Sequence, residues 1–224
     1  MRCLFSFITR GGSTVDDRAY LTIRDAAEAE YVDRRSRFIA AIRPVTEEQE
    51  ALAFIAARKK QFWDARHNVH AYVLRSGISR FSDDGEPQGT AGLPMLETIQ
   101  KRGLTDCVVV VTRYFGGILL GTGGLVRAYS QSTSLAIDAA GVGECRPCAV
   151  GEIACDYAQY GRVAPLVAEF GGRVTDTAFT EGVTLSVLLP SDRTAAFCRE
   201  LTEISAGTLN FQQNDEIFEF FEKN

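Results

Sequence analysis

Three carboxylates lie close together in one short segment bounded by glycine and proline: Asp83, Asp84 and Glu86. Because they occupy a turn rather than a helix, we expect the three side chains to converge on one spot. Such a group can bind a hard cation such as Mg²⁺ or act as a base. It can equally cap the backbone of its own turn and pair with arginines. The sequence leaves both interpretations open, and we predict no metal or cofactor.

Arginine and glycine dominate the segment that follows. Arg113 ends a β-branched run, Gly116-Gly117 comes shortly after it, and the glycines of residues 121–124 lead into a helix that carries Arg127. Free backbone N–H groups at a helix N-terminus, together with arginines, suit a phosphate or a carboxylate. The spacing matches neither a P-loop nor the dinucleotide-binding fingerprint.

These residues therefore predict a site that binds an anion or a partner. Its candidate residues are His67, Asp83, Asp84, Glu86, Gly89, Thr90, Arg113, Tyr114, Gly116, Gly117, Gly121, Gly123, Gly124 and Arg127. His67 and His70 are the two histidines of the chain. Since no serine or cysteine nucleophile stands beside either of them, the sequence predicts no catalytic triad. We expect His67 to hydrogen-bond an aspartate or the backbone.

The elements that must position this site form a first α/β unit. A continuous β-branched run at 107–112 predicts an interior strand. The other predicted elements are a hairpin of strands 26–32 and 38–43, a helix that follows a capping box at 46–49, strands 70–74 and 78–81, and helices 94–99 and 125–140. We expect Gly141 to end the last helix.

A second unit follows with the order βαββαβ, which is the ferredoxin-like pattern. Its predicted strands are 150–155, 173–179, 184–189 and 208–212, and its predicted helices are 157–170 and 192–204. The sequence thus predicts an α+β chain with one domain at 19–144 and a second at 145–224. We expect residues 1–18 to be a disordered tail or a mis-assigned start, and the apolar tail 217–221 to cover an edge or an apolar face.

Composition limits the class of protein and its partners. The chain has 224 residues, 46% of them hydrophobic and 24% charged, which is typical of a globular protein. No apolar run is long enough for a membrane span, so we expect a cytoplasmic protein. Residues 1–144 hold 18 Lys and Arg against 17 Asp and Glu, whereas residues 145–224 hold 6 against 12. Only the first unit is therefore expected to meet an anionic partner.

Basic residues of the first unit cluster in two places. The clusters are Arg34, Arg35 and Arg37 in the predicted hairpin, and Arg58, Lys59 and Lys60 further on. Such clusters can steer a phosphate backbone, and they are equally typical of solvated hairpin and helix ends. Nucleic acid thus remains one of several possible partners.

Several long motifs together resemble one known family. They are Ser36-Arg37-Phe38-Ile39-Ala40, Ala65-Arg66-His67-Asn68, Asp83-Asp84-Gly85-Glu86-Pro87, Gly89-Thr90-Ala91-Gly92, Arg113-Tyr114-Phe115-Gly116-Gly117 and Gly123-Gly124-Leu125-Val126-Arg127-Ala128-Tyr129. This set resembles the IMPACT/YigZ family over residues 26–141. The βαββαβ unit is similar to the small second domain of bacterial members, which itself resembles a C-terminal domain of elongation factor G.

The resemblance implies a fold and a field of function. The first domain of the family resembles the second domain of a small-subunit ribosomal protein, a fold that translational GTPases also use. Eukaryotic relatives restrain a starvation kinase that acts on an initiation factor, and they do so through an additional N-terminal domain that is not expected here. Two positions depart from the family pattern: Leu119 replaces a frequent lysine, and Val69-His70 replaces Cys-Tyr.

Three hypotheses about function follow. The first is a non-enzymatic regulator or binding protein linked to translation, with the ribosome, RNA or a translation factor as partner. The second is an enzyme that acts on a small phosphorylated or carboxylated substrate, with Asp83, Asp84 or Glu86 as metal ligand or base. The third is that the motif is purely structural. The absence of a lysine at Leu119 weakens an RNA-phosphate contact in this loop.

Overall fold

The computed structural model describes residues 18–222. The prediction of a disordered or mis-assigned start therefore lies, except for Arg18, outside the described residues. The chain divides into two compact units between Cys145 and Arg146. The first unit comprises Tyr20–Cys145 and the last residues from Phe220 onward, and the second comprises Arg146–Glu219 with Arg18 and Ala19. The structure is a mixed α+β fold, as predicted.

The first unit contains one five-stranded antiparallel sheet with the order β2-β3-β6-β4-β5. Its strands are β2 (Ala27–Asp33), β3 (Ser36–Pro44), β4 (His67–Val73), β5 (Ser79–Ser82) and β6 (Cys107–Tyr114), and its helices are α1 (Glu48–Gln61), α2 (Gly92–Lys101) and α3 (Gly121–Ala140). The short strand β1 (Tyr20–Ile23) pairs with the first four residues of β7 (Val142–Cys155). The predicted hairpin and interior strand are thus confirmed.

Strand β6 separates two hydrophobic cores. Side chains of a strand alternate between the two faces of a sheet, so successive valines of β6 enter different cores. Val109 and Val111 pack with Phe38, Met95 and other residues in the larger core, which includes residues of α2 and α3. Val108 and Val110 pack with residues of α1 and β4, among them Ile55 and Tyr72. Burial on both faces explains why the run is continuously apolar.

Helix α3 begins earlier than the sequence predicted. The prediction started the helix at Leu125, whereas the structure starts it at Gly121. Gly121, Gly123 and Gly124 are therefore residues of the first helical turn and not of a preceding loop. Glycine has a low helix propensity, which explains why the prediction missed this turn. The N–H groups of a first helical turn have no partner within the helix in any case. Gly141 ends the helix with φ of +73°, as predicted.

The second unit has the predicted order βαββαβ. After β7 come α4 (Tyr157–Glu169), β8 (Arg173–Phe179), β9 (Val183–Pro190), α5 (Ser191–Ile204) and β10 (Gln212–Glu222). Strand β9 pairs antiparallel with β7 and β8, and β10 pairs with β7. Side chains such as Ile153, Val163, Leu185 and Phe197 form its core.

The last strand differs from its prediction. The sequence placed a strand at 208–212 and treated 217–221 as a tail, whereas β10 includes that tail and pairs with β7. Two glycines of β7 make room for it. A Cβ at Gly151 would lie 2.3 Å from the carbonyl oxygen of Gln212, and one at Gly143 would lie 2.4 Å from that of Phe221. Glycine within a strand is a sign of such a close approach.

No helix within residues 18–222 is both long and apolar enough to span a membrane.

Candidate anion- and partner-binding site

The register of the sheet brings the predicted residues to one edge. His67, the first residue of β4, lies opposite Arg113 near the end of β6, and Arg113 lies opposite Phe38 near the start of β3. The β2–β3 turn and the segments that follow β5 and β6 therefore meet at this end of the strands. We call it the glycine-loop edge and define it by residues 34–35, 66–67, 83–92 and 113–127.

Asp83 binds the backbone at the start of α2. One carboxylate oxygen, Oδ1, accepts hydrogen bonds from the N–H groups of Ala91 (3.1 Å) and Gly92 (2.8 Å), and Oδ2 accepts one from the N–H of Gly89 (2.8 Å). The N-cap residue of α2, Ala91, offers no side chain of its own for this purpose. A carboxylate at the positive end of a helix is favourable, so Asp83 supports the fold of its own segment.

Asp84 connects the acidic turn to α1 and to the start of β4. Its carboxylate accepts hydrogen bonds from Lys59 Nζ (2.6 Å) and from the N–H of Asn68 (2.7 Å). Its carbonyl oxygen accepts one from His67 Nδ1 (2.9 Å), which confirms the expectation that His67 bonds the backbone. Partial burial raises the pKa of the Asp84 carboxyl, but Lys59 and the N–H of Asn68 together lower that pKa below its ordinary value of 3.8.

Glu86 forms a buried cluster with an arginine and a tyrosine. Its Oε1 accepts hydrogen bonds from Arg113 Nη1 (2.6 Å) and from the hydroxyl of Tyr129 on α3 (2.9 Å). The side chains of Arg113 and Glu86 are only 8% and 3% exposed. Burial, followed by the negative charge of Glu86, raises the pKa of Tyr129 far above its ordinary value. We call Glu86, Arg113 and Tyr129 the buried cluster.

The buried cluster joins three separate parts of the chain. It ties the acidic turn to β6 and to the third turn of α3, because each member comes from a different segment. The guanidinium of Arg113 also lies 5.5 Å from the ring centre of Phe38 and 5.7 Å from that of Phe115. Aromatic rings stabilise a cation in such positions. The cluster therefore positions the glycine-loop edge.

The three carboxylates do not converge on one spot, contrary to the prediction. Asp84 has φ of +44° and the following Gly85 has φ of +86°, so the backbone turns sharply between Asp83 and Glu86. Each side chain consequently points to a different partner. The turn caps its own backbone and pairs with Arg113, but not with Arg127. Within residues 18–222, no group of three or more His, Cys, Asp or Glu side chains is placed to hold a metal ion.

Several other predicted residues also make contacts within the fold. The N–H of Gly89 binds Asp83, the hydroxyl of Thr90 donates to the carbonyl of Pro87 (2.6 Å), and that of Tyr114 donates to Asp64 (2.9 Å). Gly116 lies directly on the β2–β3 turn. A Cβ at Gly116 would be 2.1 Å from the carbonyl carbon of Arg35, so the turn can approach only because this residue is glycine.

A second group of predicted residues has no such role. Around Gly117, Gly121 and Gly123 the nearest 4 Å contain nothing that an added Cβ would meet. Helix α3 has no side-chain cap and no acidic residue in its first turn. Arg127 is exposed and makes no ion pair with any residue that the structure describes. These residues are free to contact something else.

The β2–β3 turn adds two cations that were not among the candidate residues. Arg34 and Arg35 are exposed, and Arg34 Nη1 donates to the carbonyl of Leu119 (3.4 Å). Both have positive φ, +44° and +68°, which is unfavourable for residues other than glycine, asparagine or aspartate. The pairing of β3 with β6 places this turn beside the loop 115–120. A correct prediction of that pairing could therefore have identified both arginines.

Of the other clustered cations, all but Lys60 have an acidic partner within residues 18–222. Arg37 pairs with Glu30, Arg58 with Glu28, and Lys59 with Asp84. The basic clusters of the sequence are therefore mostly structural, and Arg34 and Arg35 are the members at the glycine-loop edge.

Comparison with known proteins covers both units. The Impact N-terminal domain matches residues 34–137, and a domain of unknown function (DUF1949) matches residues 153–208. The IMPACT family member YvyE of Bacillus subtilis is 40% identical over 199 residues, which are 88% of this chain and 92% of that protein. The chain belongs to the IMPACT family. The IMPACT family member YigZ of Escherichia coli is 34% identical over 82% of this chain and 92% of its own.

A solved structure is similar to most of the chain. A protein whose structure is titled "Crystal structure of an hypothetical protein" is 32% identical, with a TM-score of 0.56, over 88% of this chain and 98% of that chain. The match to the Impact N-terminal domain includes every candidate residue from His67 to Arg127. The glycine-loop edge thus lies within the part of the chain that defines the IMPACT family.

Proposed function

We propose that this IMPACT-family protein is a non-enzymatic regulator that binds a component of the translation apparatus through the glycine-loop edge. The observation that carries the proposal is the division of contacts at this edge. Asp83, Asp84 and Glu86 are all bound to backbone N–H groups or cations of the fold. The groups left for a partner are cationic arginines and the backbone at the start of α3. Such groups bind negative charge and offer no general base.

Electrostatics supports an anionic partner. Arg34, Arg35 and Arg127 are exposed, and no acidic residue within 18–222 neutralises them through an ion pair. The uncapped start of α3 adds the positive end of a helix dipole. A negatively charged ribosomal component or translation factor would gain from both, and the binding would weaken as salt rises.

The family resemblance supports the link to translation. It relates the first domain to a ribosomal protein and the second to a domain of elongation factor G, and it associates eukaryotic relatives with control of initiation. These relations concern fold and family membership. They support a role in translation, and the partner has to be identified by experiment. A translation partner implies a cytoplasmic protein.

Sucrose-gradient sedimentation in lysate of the host tests the proposal. Tagged wild-type protein is compared with Arg127→Glu, at low and at moderate salt. Arg199→Glu is the matched control, because Arg199 is an exposed arginine of α5 in the second unit. We expect wild type and Arg199→Glu to migrate with ribosomal particles and Arg127→Glu to stay at the top of the gradient. If all three stay at the top at low salt, the proposal is wrong.

A further inference from the structure

The binding surface of the glycine-loop edge is apolar as well as cationic. We infer that its partner is an acidic protein segment that carries exposed apolar side chains, and not RNA. The inference rests on the proposed function for the position of the surface, and it adds the chemistry of what binds there.

Three large apolar side chains of one loop are exposed to solvent. Leu119 is 80% exposed, Phe115 57% and Ile118 42%. The neighbouring Leu120 instead packs against the first turn of α3, where a Cβ at Gly124 would lie 2.9 Å from its own Cβ. The loop thus turns one leucine inward and leaves the others outside. Contiguous exposed apolar side chains on a folded protein are typical of an interaction surface.

Three arginines that form no ion pair within residues 18–222 belong to the same glycine-loop edge. Arg34 reaches the carbonyl of Leu119 itself, and Arg35 belongs to the turn that Gly116 contacts. Arg127 follows in α3, close in sequence to the loop. Within residues 18–222, none of the three has an acidic partner. An apolar centre with arginines around it is the composition of a protein–protein interface.

RNA fits this surface less well than protein does. Phe115 can stack on a base, but Ile118 and Leu119 have neither a ring nor a polar group for one. The cations are also few, since residues 1–144 hold 18 Lys and Arg against 17 Asp and Glu. Surfaces that bind RNA are usually strongly basic. An acidic segment with aliphatic side chains satisfies both features, because its carboxylates meet the arginines and its apolar side chains cover Leu119.

Substitution of Leu119 by lysine separates the two partners. Leu119→Lys removes apolar surface and adds a cation, so it should weaken a protein contact of this kind and strengthen an RNA contact. Leu119 is mostly exposed, so the variant should fold, which circular dichroism checks. Leu52→Lys is the matched control, since Leu52 is an exposed leucine of α1 outside the glycine-loop edge.

The experiment selects a phage-displayed library of random short peptides on the immobilised full-length chain. We expect enriched sequences that combine Asp or Glu with Leu, Ile or Phe. A labelled synthetic copy of the most enriched peptide should bind Leu119→Lys roughly tenfold more weakly than wild type in fluorescence anisotropy. It should bind Leu52→Lys as it binds wild type. A labelled oligouridylate serves as the RNA probe.

Three results would overturn the inference. They are no enrichment above bare beads, an affinity for the peptide that Leu119→Lys retains, and binding of oligouridylate that tightens in Leu119→Lys. The proposed function is judged separately in the gradient. Peptide binding without ribosomal migration would contradict the link to translation alone, whereas migration without peptide enrichment would contradict only the protein partner.

Discussion

The buried cluster and the exposed part of the glycine-loop edge use the same types of residue for opposite purposes. In the buried cluster, Arg113 is paired with Glu86 and enclosed beneath α3. On the exposed side, Arg127 lies two residues before Tyr129 in α3, carries the same charge as Arg113 and has no acidic partner within the described residues. Arginine and glycine in a motif therefore say little about function until their partners are known.

The glycines show the same contrast. Gly116 is required by the close approach of the β2–β3 turn, whereas Gly123 has open space around it. Residues that contact the fold closely and residues with open space around them thus alternate along one motif. Variants that separate stability from binding should reveal which residues belong to which group.

The largest effect is expected for Glu86→Ala. The change leaves the guanidinium of Arg113 buried without its carboxylate and removes the acceptor of the Tyr129 hydroxyl. The free energy of unfolding should fall by roughly 3 to 5 kcal/mol, as measured by urea denaturation. Glu97→Ala is the control, because the Glu97–Lys101 pair is exposed and should contribute less than about 1 kcal/mol. Equal losses in both variants would contradict a structural role for the buried cluster.

The two glycines should respond to alanine in opposite directions. Gly116→Ala places a methyl group against the backbone of Arg35 and should lower the free energy of unfolding by roughly 2 to 3 kcal/mol. Gly123→Ala meets nothing and lies within α3, so it should raise that free energy by roughly 0.5 to 1 kcal/mol. Urea denaturation of both variants measures the difference. Destabilisation by Gly123→Ala would show that this residue belongs to the structural group.

A smaller effect is expected for Asp83→Ala. The change removes the acceptor of three backbone N–H groups before and within the first turn of α2. Loss of such a cap should lower the free energy of unfolding by about 1 to 2 kcal/mol, which thermal denaturation detects as a lower melting temperature. Asp83→Asn keeps one oxygen as an acceptor and should fall between the alanine variant and wild type. An alanine variant as stable as wild type would refute the capping role.

The smallest effect concerns the pH dependence that Asp84 contributes. Since the pKa of Asp84 is lowered in the folded state, its stabilisation is complete above the ordinary value of 3.8 and is lost as pH falls through the lower folded value. Asp84→Asn should therefore be less stable than wild type by about 1 kcal/mol at neutral pH. The difference should shrink as pH falls below 3.8. A gap that stays constant across this range would exclude the ion pair with Lys59 as its cause.

Much of the fold could be predicted from the sequence, for local physical reasons. The valine run of β6 has to be buried on both faces, and Gly141 suits the positive φ after α3. The start of α3 could not be predicted, because the low helix propensity of three glycines in residues 121–124 argues against a helical turn there. The last strand was also misplaced, since its pairing depends on glycines of β7 far away in sequence.

The candidate site was predicted only as a set of residues. Its members do meet at one edge, because strand register brings them together. The three carboxylates bind different partners because the backbone turns sharply at Asp84 and Gly85, both of which have positive φ. The contact between Arg34 and Leu119 could not be predicted, because it depends on the β2–β3 turn lying beside the loop 115–120.

Urea denaturation of Arg127→Glu tests whether Arg127 is a free binding group that has no part in the buried cluster. Its charge reversal should change the free energy of unfolding by less than about 0.5 kcal/mol, while the same preparation loses migration with ribosomal particles. A loss of about 3 kcal/mol or more would mean that Arg127 is a structural residue, and it would contradict the division on which the account depends.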